Sequence, residues 1–152
     1  MSKTDVAILA AHLGSTLFMT GLIWFVQVVH YPLKSVVGQG EFVRYQALHV
    51  ARTGWVVGPP MLIEAATALW LVLCPIEEAR KVLCVVGLLL LVKVWVVTAL
   101  FSVPAHHALS RGFDQQTHTR LVLSNWARTF GWTARSVVVG WYAFGFMVDL
   151  PG

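Results

Sequence analysis

Apolar residues in this chain come in long unbroken blocks, not in short alternating runs. Four blocks stand out, at about residues 6–29, 55–73, 82–101 and 126–148. Each has the roughly 20 residues that, rising ~1.5 Å apiece as a helix, cross a hydrocarbon layer of about 30 Å. The pattern predicts an all-α fold, a four-transmembrane-helix bundle forming a single integral membrane domain over residues 1–152. The breaks between blocks have a chemical basis. Tyr31-Pro32 is expected to end the first helix, and Val103-Pro104 to end or kink the third. Cys74-Pro75-Ile76-Glu77-Glu78 reads as a short turn. Pro59-Pro60 falls in the first turns of the second span, where missing backbone donors are tolerated. The first block is too long for a secretory h-region and is followed by a poor cleavage site, so it is read as an uncleaved helix.

The two longer connections also carry a pattern. Phe42, Tyr45, His49 and Arg52 recur at spacings of three, four and three, which places them on one helical face. Short interfacial helices are therefore expected in both the 1–2 and 3–4 connections, over 40–53 and within 105–123, with Gly112-Phe113-Asp114 as a break. Within the first span, Ala7, Ala11 and Ser15, and likewise Ala10 and Gly14, are four apart, a spacing that serves close helix packing.

Composition agrees with the blocks. Apolar residues make up 57% and charged residues 12% of the chain, about half the charge of a soluble domain, typically ~25%. That excludes a soluble globule, a disordered chain and a disulfide scaffold. The net charge is +4. The cations are sparse and scattered, so nucleic acid is not an expected partner. Lys34, Arg44, Arg52, Arg111, Arg120 and Arg128 lie in the long connections or beside them, against Lys3, Arg80 and Lys81 on the other side. The positive-inside rule then predicts cytoplasmic long connections and both termini outside.

Two groups of residues could carry chemistry. Five of six histidines gather toward one side: His30 ends the first span, and His49, His106, His107 and His118 lie in the two connections. Imidazole is a common metal ligand and proton carrier. These five are candidate metal ligands, for a non-haem metal or a haem, with simple solvation of the rings as the alternative. No H-E-x-x-H or C-x-x-C motif supports them. The second group is intramembrane. Glu64 lies nine residues after Trp55, Lys93 eight before Phe101, and Arg135 nine after Trp126. All three are therefore about 12–14 Å from the same face of the span, near its midplane. Charges there are functional candidates, the alternative being an ion-pair network that fixes helix register. Glu64, Lys93, Arg135 and His30 are accordingly the candidate catalytic residues.

A polar stripe on the last span runs through Asn125, Arg128 and Trp132 to Arg135. Gln27 and His30 share a face of the first helix, and Glu64 and Thr67 one of the second. Together with Tyr45 and Arg52, the residues Gln27, Asn125, Arg128 and Trp132 are expected to line a ligand pocket open toward the histidine side. Trp24, Trp55 and Trp126 belong either to that pocket or to an interfacial aromatic belt. Cys74 and Cys84 flank one short turn, where a disulfide or two inert thiols are both possible.

At Trp24-Phe25-Val26-Gln27-Val28-Val29-His30-Tyr31-Pro32 and at Asn125-Trp126-x-Arg128-Thr129 the chain resembles small four-helix membrane families. One is the anthrone-oxygenase-like family, similar in size, span number and a Trp/Arg-containing approach to the last helix. The other is the membrane protoporphyrinogen oxidase and copper-resistance-like group. The likeness there is a His and a Gly in the first helix, here His12 and Gly21, and a third-helix Lys followed by a basic loop, here Lys93, His106 and Arg111. The second resemblance implies a haem served by His12.

Two functions are expected to compete. The first is a small oxidoreductase or oxygenase-like enzyme acting on a hydrophobic or anionic ring compound, with Arg128 and Arg135 orienting an oxygen and Glu64 or His30 moving a proton. The second is a non-catalytic accessory subunit, binding a cofactor or lipid within a larger membrane complex. A homo-oligomer is compatible with either. A transporter has less support, since no inverted repeat is visible.

Overall fold

The computed structural model describes residues 3–74 and 78–148. All regular structure among them is helical: α1 (Lys3–Phe25), α2 (Tyr31–Lys34), α3 (Gln39–Leu73), α4 (Glu78–Val97), α5 (Val103–Leu109) and α6 (Gln115–Val148). Two π-helical turns, Val26–His30 and Thr98–Ser102, join α1 to α2 and α4 to α5 without a break. The chain is thus four long rods. Three of them, Lys3–Lys34, Gln39–Leu73 and Arg80–Leu109, are long and apolar enough to cross a membrane. Leu17, Leu62, Leu89 and Leu100, for example, are exposed on their outer faces. The fourth rod, α6, carries Arg120, Arg128 and Arg135 and is more polar.

The expected helix ends need correction. Tyr31-Pro32 and Val103-Pro104 do not stop their helices. Each proline follows a π turn by two residues and sits in the first turn of the helix beyond it. Proline lacks an N–H and its ring crowds the carbonyl four residues back. Widening the preceding turn to an i to i+5 pattern relieves that crowding and lets the rod continue. The separate interfacial helices are likewise absent. Residues 40–53 belong to the same 35-residue helix as the second span, so Pro59 and Pro60 lie well inside α3. Residues 115–123 belong to α6. Of the expected breaks, Gly112 is one: its φ of 148° ends α5, and Asp114 starts α6 by accepting a hydrogen bond from the Thr117 N–H at 2.7 Å. This capping holds the Asp114 carboxyl below its ordinary range, because the Thr117 donor favours the charged form. The expected turn after Cys74 falls on Pro75, Ile76 and Glu77, outside the described residues. Cys74 and Cys84 are unbridged.

The rods contact one another in a closed ring: α1 on α3, α3 on α4, α4 on α6 and α6 on α1. Apolar side chains fill the centre in three layers. These are Leu9, Leu71 and Tyr142; then Met19, Ile23, Val94 and Trp132; then Tyr31, Phe42, Leu109 and Leu121. Gly131 lets α4 approach α6, since a Cβ there would stand 2.6 Å from Val94 Cγ2. Polar residues lie between the apolar layers.

Candidate functional site

The deeper polar group is built from α3 and α6. Glu64 is fully buried because its position on α3 turns it into the ring of rods. Its Oε1 accepts from Arg135 Nε at 3.1 Å, and its Oε2 from Trp132 Nε1 at 3.2 Å. Arg135 also donates through Nη1 to the carbonyl of Gly87 on α4. Beside them His12 Nδ1 lies 2.8 Å from Thr67 Oγ1. Trp132, Glu64 and Arg135 all have zero exposure. The pair is a sealed ion pair, with a carboxylate whose two oxygens are both engaged.

Lys93 is not part of it. The expectation of three charges at one depth inside the bundle fails for this residue, which is exposed on the outer face of α4. Spacing along the sequence set its depth, but the helix rotation that packs Leu91 and Val94 inward points Lys93 outward.

The second group lies toward the histidine-rich end and surrounds a cavity of about 250 Å³. That is close to the lower end of ligand pockets, about 300–1,000 Å³, and far larger than ordinary packing voids. Met19, Ile23, Val26 and Val57 make its apolar wall; Tyr31, Thr53, Ser102, His106 and Arg128 supply its polar side, with His49 and exposed His107 at its edge. Both π turns contribute, through Val26, Thr98 and Ser102.

Arg128 is held by a relay of amides. Gln27 Oε1 accepts from Asn125 Nδ2 at 2.8 Å, and Asn125 Oδ1 accepts from Arg128 Nη1 at 2.9 Å. The guanidinium also reaches Ser102 Oγ at 3.3 Å and lies over the Trp132 ring, 5.4 Å from its centroid. Its Nε is buried without a partner. No carboxylate pairs with Arg128 among the described residues.

A second cation sits behind the same wall. Lys34 has zero exposure; its Nζ donates to Gln46 Oε1 at 2.8 Å and lies 5.4 Å from the Tyr31 centroid. It too has no carboxylate partner among the described residues. Because an ammonium only donates, the Gln46 oxygen must face it, and the amide N–H₂ then faces His106 Nδ1 at 3.1 Å. His106 Nδ1 is therefore the acceptor, and its protonated Nε2 donates to Tyr31 Oη at 3.1 Å. The Tyr31 hydroxyl accepts that bond, interacts with Arg128 and lines the cavity.

The five histidines separate into different roles. His30 Nε2 and His49 Nδ1 bond to each other at 2.9 Å, and Thr53 Oγ1 meets the same His49 nitrogen at 3.1 Å. His106 has both nitrogens engaged as above. His118 Nε2 donates to the Tyr31 carbonyl at 2.8 Å, pinning α6 to the first rod. Among the described residues no three His, Cys, Asp or Glu side chains are placed to share a metal ion. The residues present thus do not fit a metal centre. Nor does His12 fit a haem, since the cleft beside it holds only about 10 Å³.

Of the expected pocket residues, Arg128 lines the cavity, and Gln27 and Asn125 orient it. Trp132 lies beneath Arg128 as a plate between the two polar groups. Tyr45 stacks at 6.3 Å on His49, outside the cavity wall. Arg52 is exposed and away from the pocket, because α3 turns Phe42, Gln46, His49 and Thr53 inward instead. Trp55 is 83% exposed and Trp24 bonds Thr133 at 3.0 Å, so neither lines the cavity. Lys34, Gln46, Tyr31 and Ser102 are the residues sequence reasoning missed. The four-three-four spacing of Phe42, Gln46, His49 and Thr53 was the available signal for Gln46. Comparison of the chain with protein-family models, curated proteins and solved structures gives no match, so the site is read from its own geometry.

Proposed function

We propose that this is a four-span membrane protein whose pocket binds a small amphiphile, with an anionic oxygen at Arg128 and an apolar ring or chain along Met19, Ile23, Val26 and Val57. The observation that carries this reading is the charge imbalance of the cavity. Its guanidinium is fixed by neutral groups, a second buried ammonium stands behind Tyr31, and no carboxylate among the described residues offsets either. A desolvated cation without a counter-charge favours an anionic guest. The Tyr31 hydroxyl and the Ser102 and Thr53 side chains add neutral polar contacts.

The fourth span is α6. Its arginines Arg128 and Arg135 turn inward, while Phe130, Val137, Trp141 and Phe144 cover its outer face. The orientation that follows from Arg44, Arg52, Arg111 and Arg120, all exposed at the histidine-rich end, puts that end in the cytoplasm and both termini outside.

Binding of 2-naphthoate to the detergent-purified protein, against the uncharged 2-naphthylmethanol, tests the reading. The acid should bind at least about tenfold more tightly, a difference of ~1.4 kcal/mol, and Arg128→Met should remove the preference. Equal affinity for acid and alcohol in the wild-type protein would defeat it. A cofactor- or lipid-binding subunit of a larger complex is the plainest form of this function.

One observation favours an enzymatic version, of the oxidoreductase or oxygenase-like class. The Tyr31 hydroxyl, which accepts from His106 Nε2, lines the same cavity as Arg128, where it can serve as a proton donor to a bound oxygen. Tyr31→Phe should then abolish turnover while leaving naphthoate binding within about threefold, since one neutral hydrogen bond is worth ~0.5–1.5 kcal/mol. Glu64 stands outside this arrangement and serves the bundle's register.

A further inference from the structure

The outer face of α4 carries an apolar stripe, Val82, Val86, Leu89, Lys93 and Val96, at spacings of four, three and four, then three. All five residues are exposed. This is the 3.5-residue repeat of a helix-packing seam, and Lys93 occupies one of its core positions. Lys93 stands fifteen residues from Glu78 and sixteen from Leu109, at the middle of the rod. Its ammonium has no hydrogen-bond or ion-pair partner among the described residues. Exposed Leu89, Val92 and Val96 surround it.

Hydrocarbon cannot satisfy that ammonium. A lysine stem extends about 6 Å, and the headgroups lie about 15 Å from the midplane, so snorkelling to the interface falls short. Within the stripe, Val96 borders an apolar groove of about 400 Å³ between α3 and α4, floored by Leu88, Leu91 and Trp95. A facing helix could seat side chains there.

We infer that the α4 face is a docking surface for a transmembrane helix of a different protein that carries a carboxylate near the bilayer midplane. A second copy of this chain does not fit. Two α4 faces packed together would set Lys93 against Lys93. The one carboxylate this chain holds inside its spans, Glu64, has both oxygens committed to Trp132 and Arg135. The remaining acids of the described residues, Asp5, Glu41, Glu78 and Asp114, lie toward the ends of the rods. A carboxylate on the partner supplies the missing charge, and its depth sets the register of the pair. This inference depends on α4 crossing the bilayer, not on what the pocket binds.

The test uses host helices of defined sequence. Polyleucine transmembrane peptides with one glutamate at the midplane, or leucine throughout, are reconstituted with the labelled protein in phosphatidylcholine vesicles, and association is read by energy transfer. The glutamate helix should associate with the wild-type protein at least about tenfold more strongly than the leucine helix, ~1.4 kcal/mol. Lys93→Leu should erase the difference while retaining wild-type helical content and unfolding temperature. Equal association of the two peptides would overturn the inference, as would a preference that survives Lys93→Leu. Disulfide cross-linking between copies through Leu89→Cys or Val96→Cys would overturn it too, by showing that a second copy covers this face.

Discussion

The two polar groups inside the bundle differ in burial and are opposite in charge logic. Around Glu64, one carboxylate meets one guanidinium and an indole N–H, so the charges balance even though Arg135 Nη2 has no hydrogen-bond partner. Around Arg128 and Lys34, two cations meet amides, hydroxyls and two aromatic faces, with no carboxylate among the described residues, and Arg128 borders a cavity. Trp132 separates them, bonding Glu64 with its edge and supporting Arg128 on its face. The difference teaches where a ligand belongs. A balanced, filled polar group holds a fold together; an unbalanced one beside a void has capacity left over.

That contrast can be broken most severely at Glu64. Glu64→Gln leaves Arg135 buried without its counter-charge and should cost about 3–5 kcal/mol of stability, measured by chemical unfolding in detergent. A loss below about 1 kcal/mol would mean that the pair is not sealed. Next comes the close approach of α4 and α6. Gly131→Ala drives a Cβ into Val94 Cγ2 at 2.6 Å and should cost about 1–3 kcal/mol. The double variant with Val94→Ala should recover part of that loss, and a double-mutant cycle would read the coupling.

The pocket end should respond differently. Arg128→Met removes hydrogen bonds to Asn125 and Ser102 and a contact with the Trp132 ring, but also a charge without a counter-charge, so stability should change by less than about 1.5 kcal/mol. The same substitution should remove the preference for naphthoate. A stability loss as large as that of Glu64→Gln would erase the distinction between the two groups.

The smallest effect concerns Asp114. Its folded carboxyl titrates below its ordinary value of 3.8 because Thr117 donates to it. A depressed folded value means stability that is fully present above 3.8 and is lost as pH falls through the lower folded value. Thermal unfolding between about pH 6 and pH 3 should therefore fall slightly more for the wild-type protein than for Asp114→Asn, which keeps a capping acceptor that does not titrate.

Depth proved easier to read than direction. The apolar blocks located the rods, and counting along them placed Glu64 and Arg135 at one level. The same counting placed Lys93 there too, yet it points the other way. Rotation about a helix axis depends on which neighbours pack, and a block apolar all round gives little signal for it. Prolines misled for a related reason. Pro32 and Pro104 carry the local chemistry of helix ends, but the packed rods favour a π turn over a break. The histidine group was visible as a concentration at one end. Which nitrogen meets which partner was not, because Gln46 and Lys34 look like ordinary residues until the rods bring them together.

By itself, the sequence determined that this is an apolar helical chain with rods long and apolar enough to cross a membrane, a few buried charges and a histidine-rich end. Block length and charge scarcity are enough for that, since both reflect the cost of exposing backbone and charge to hydrocarbon. Only the tertiary structure decided that Glu64 pairs with Arg135, that Arg128 faces a cavity without a carboxylate and that Lys93 looks outward. Those outcomes depend on contacts between residues far apart in sequence, such as Gln27 and Asn125, 98 positions apart. No local pattern fixes such contacts, because they follow from how four rods rotate to satisfy one another.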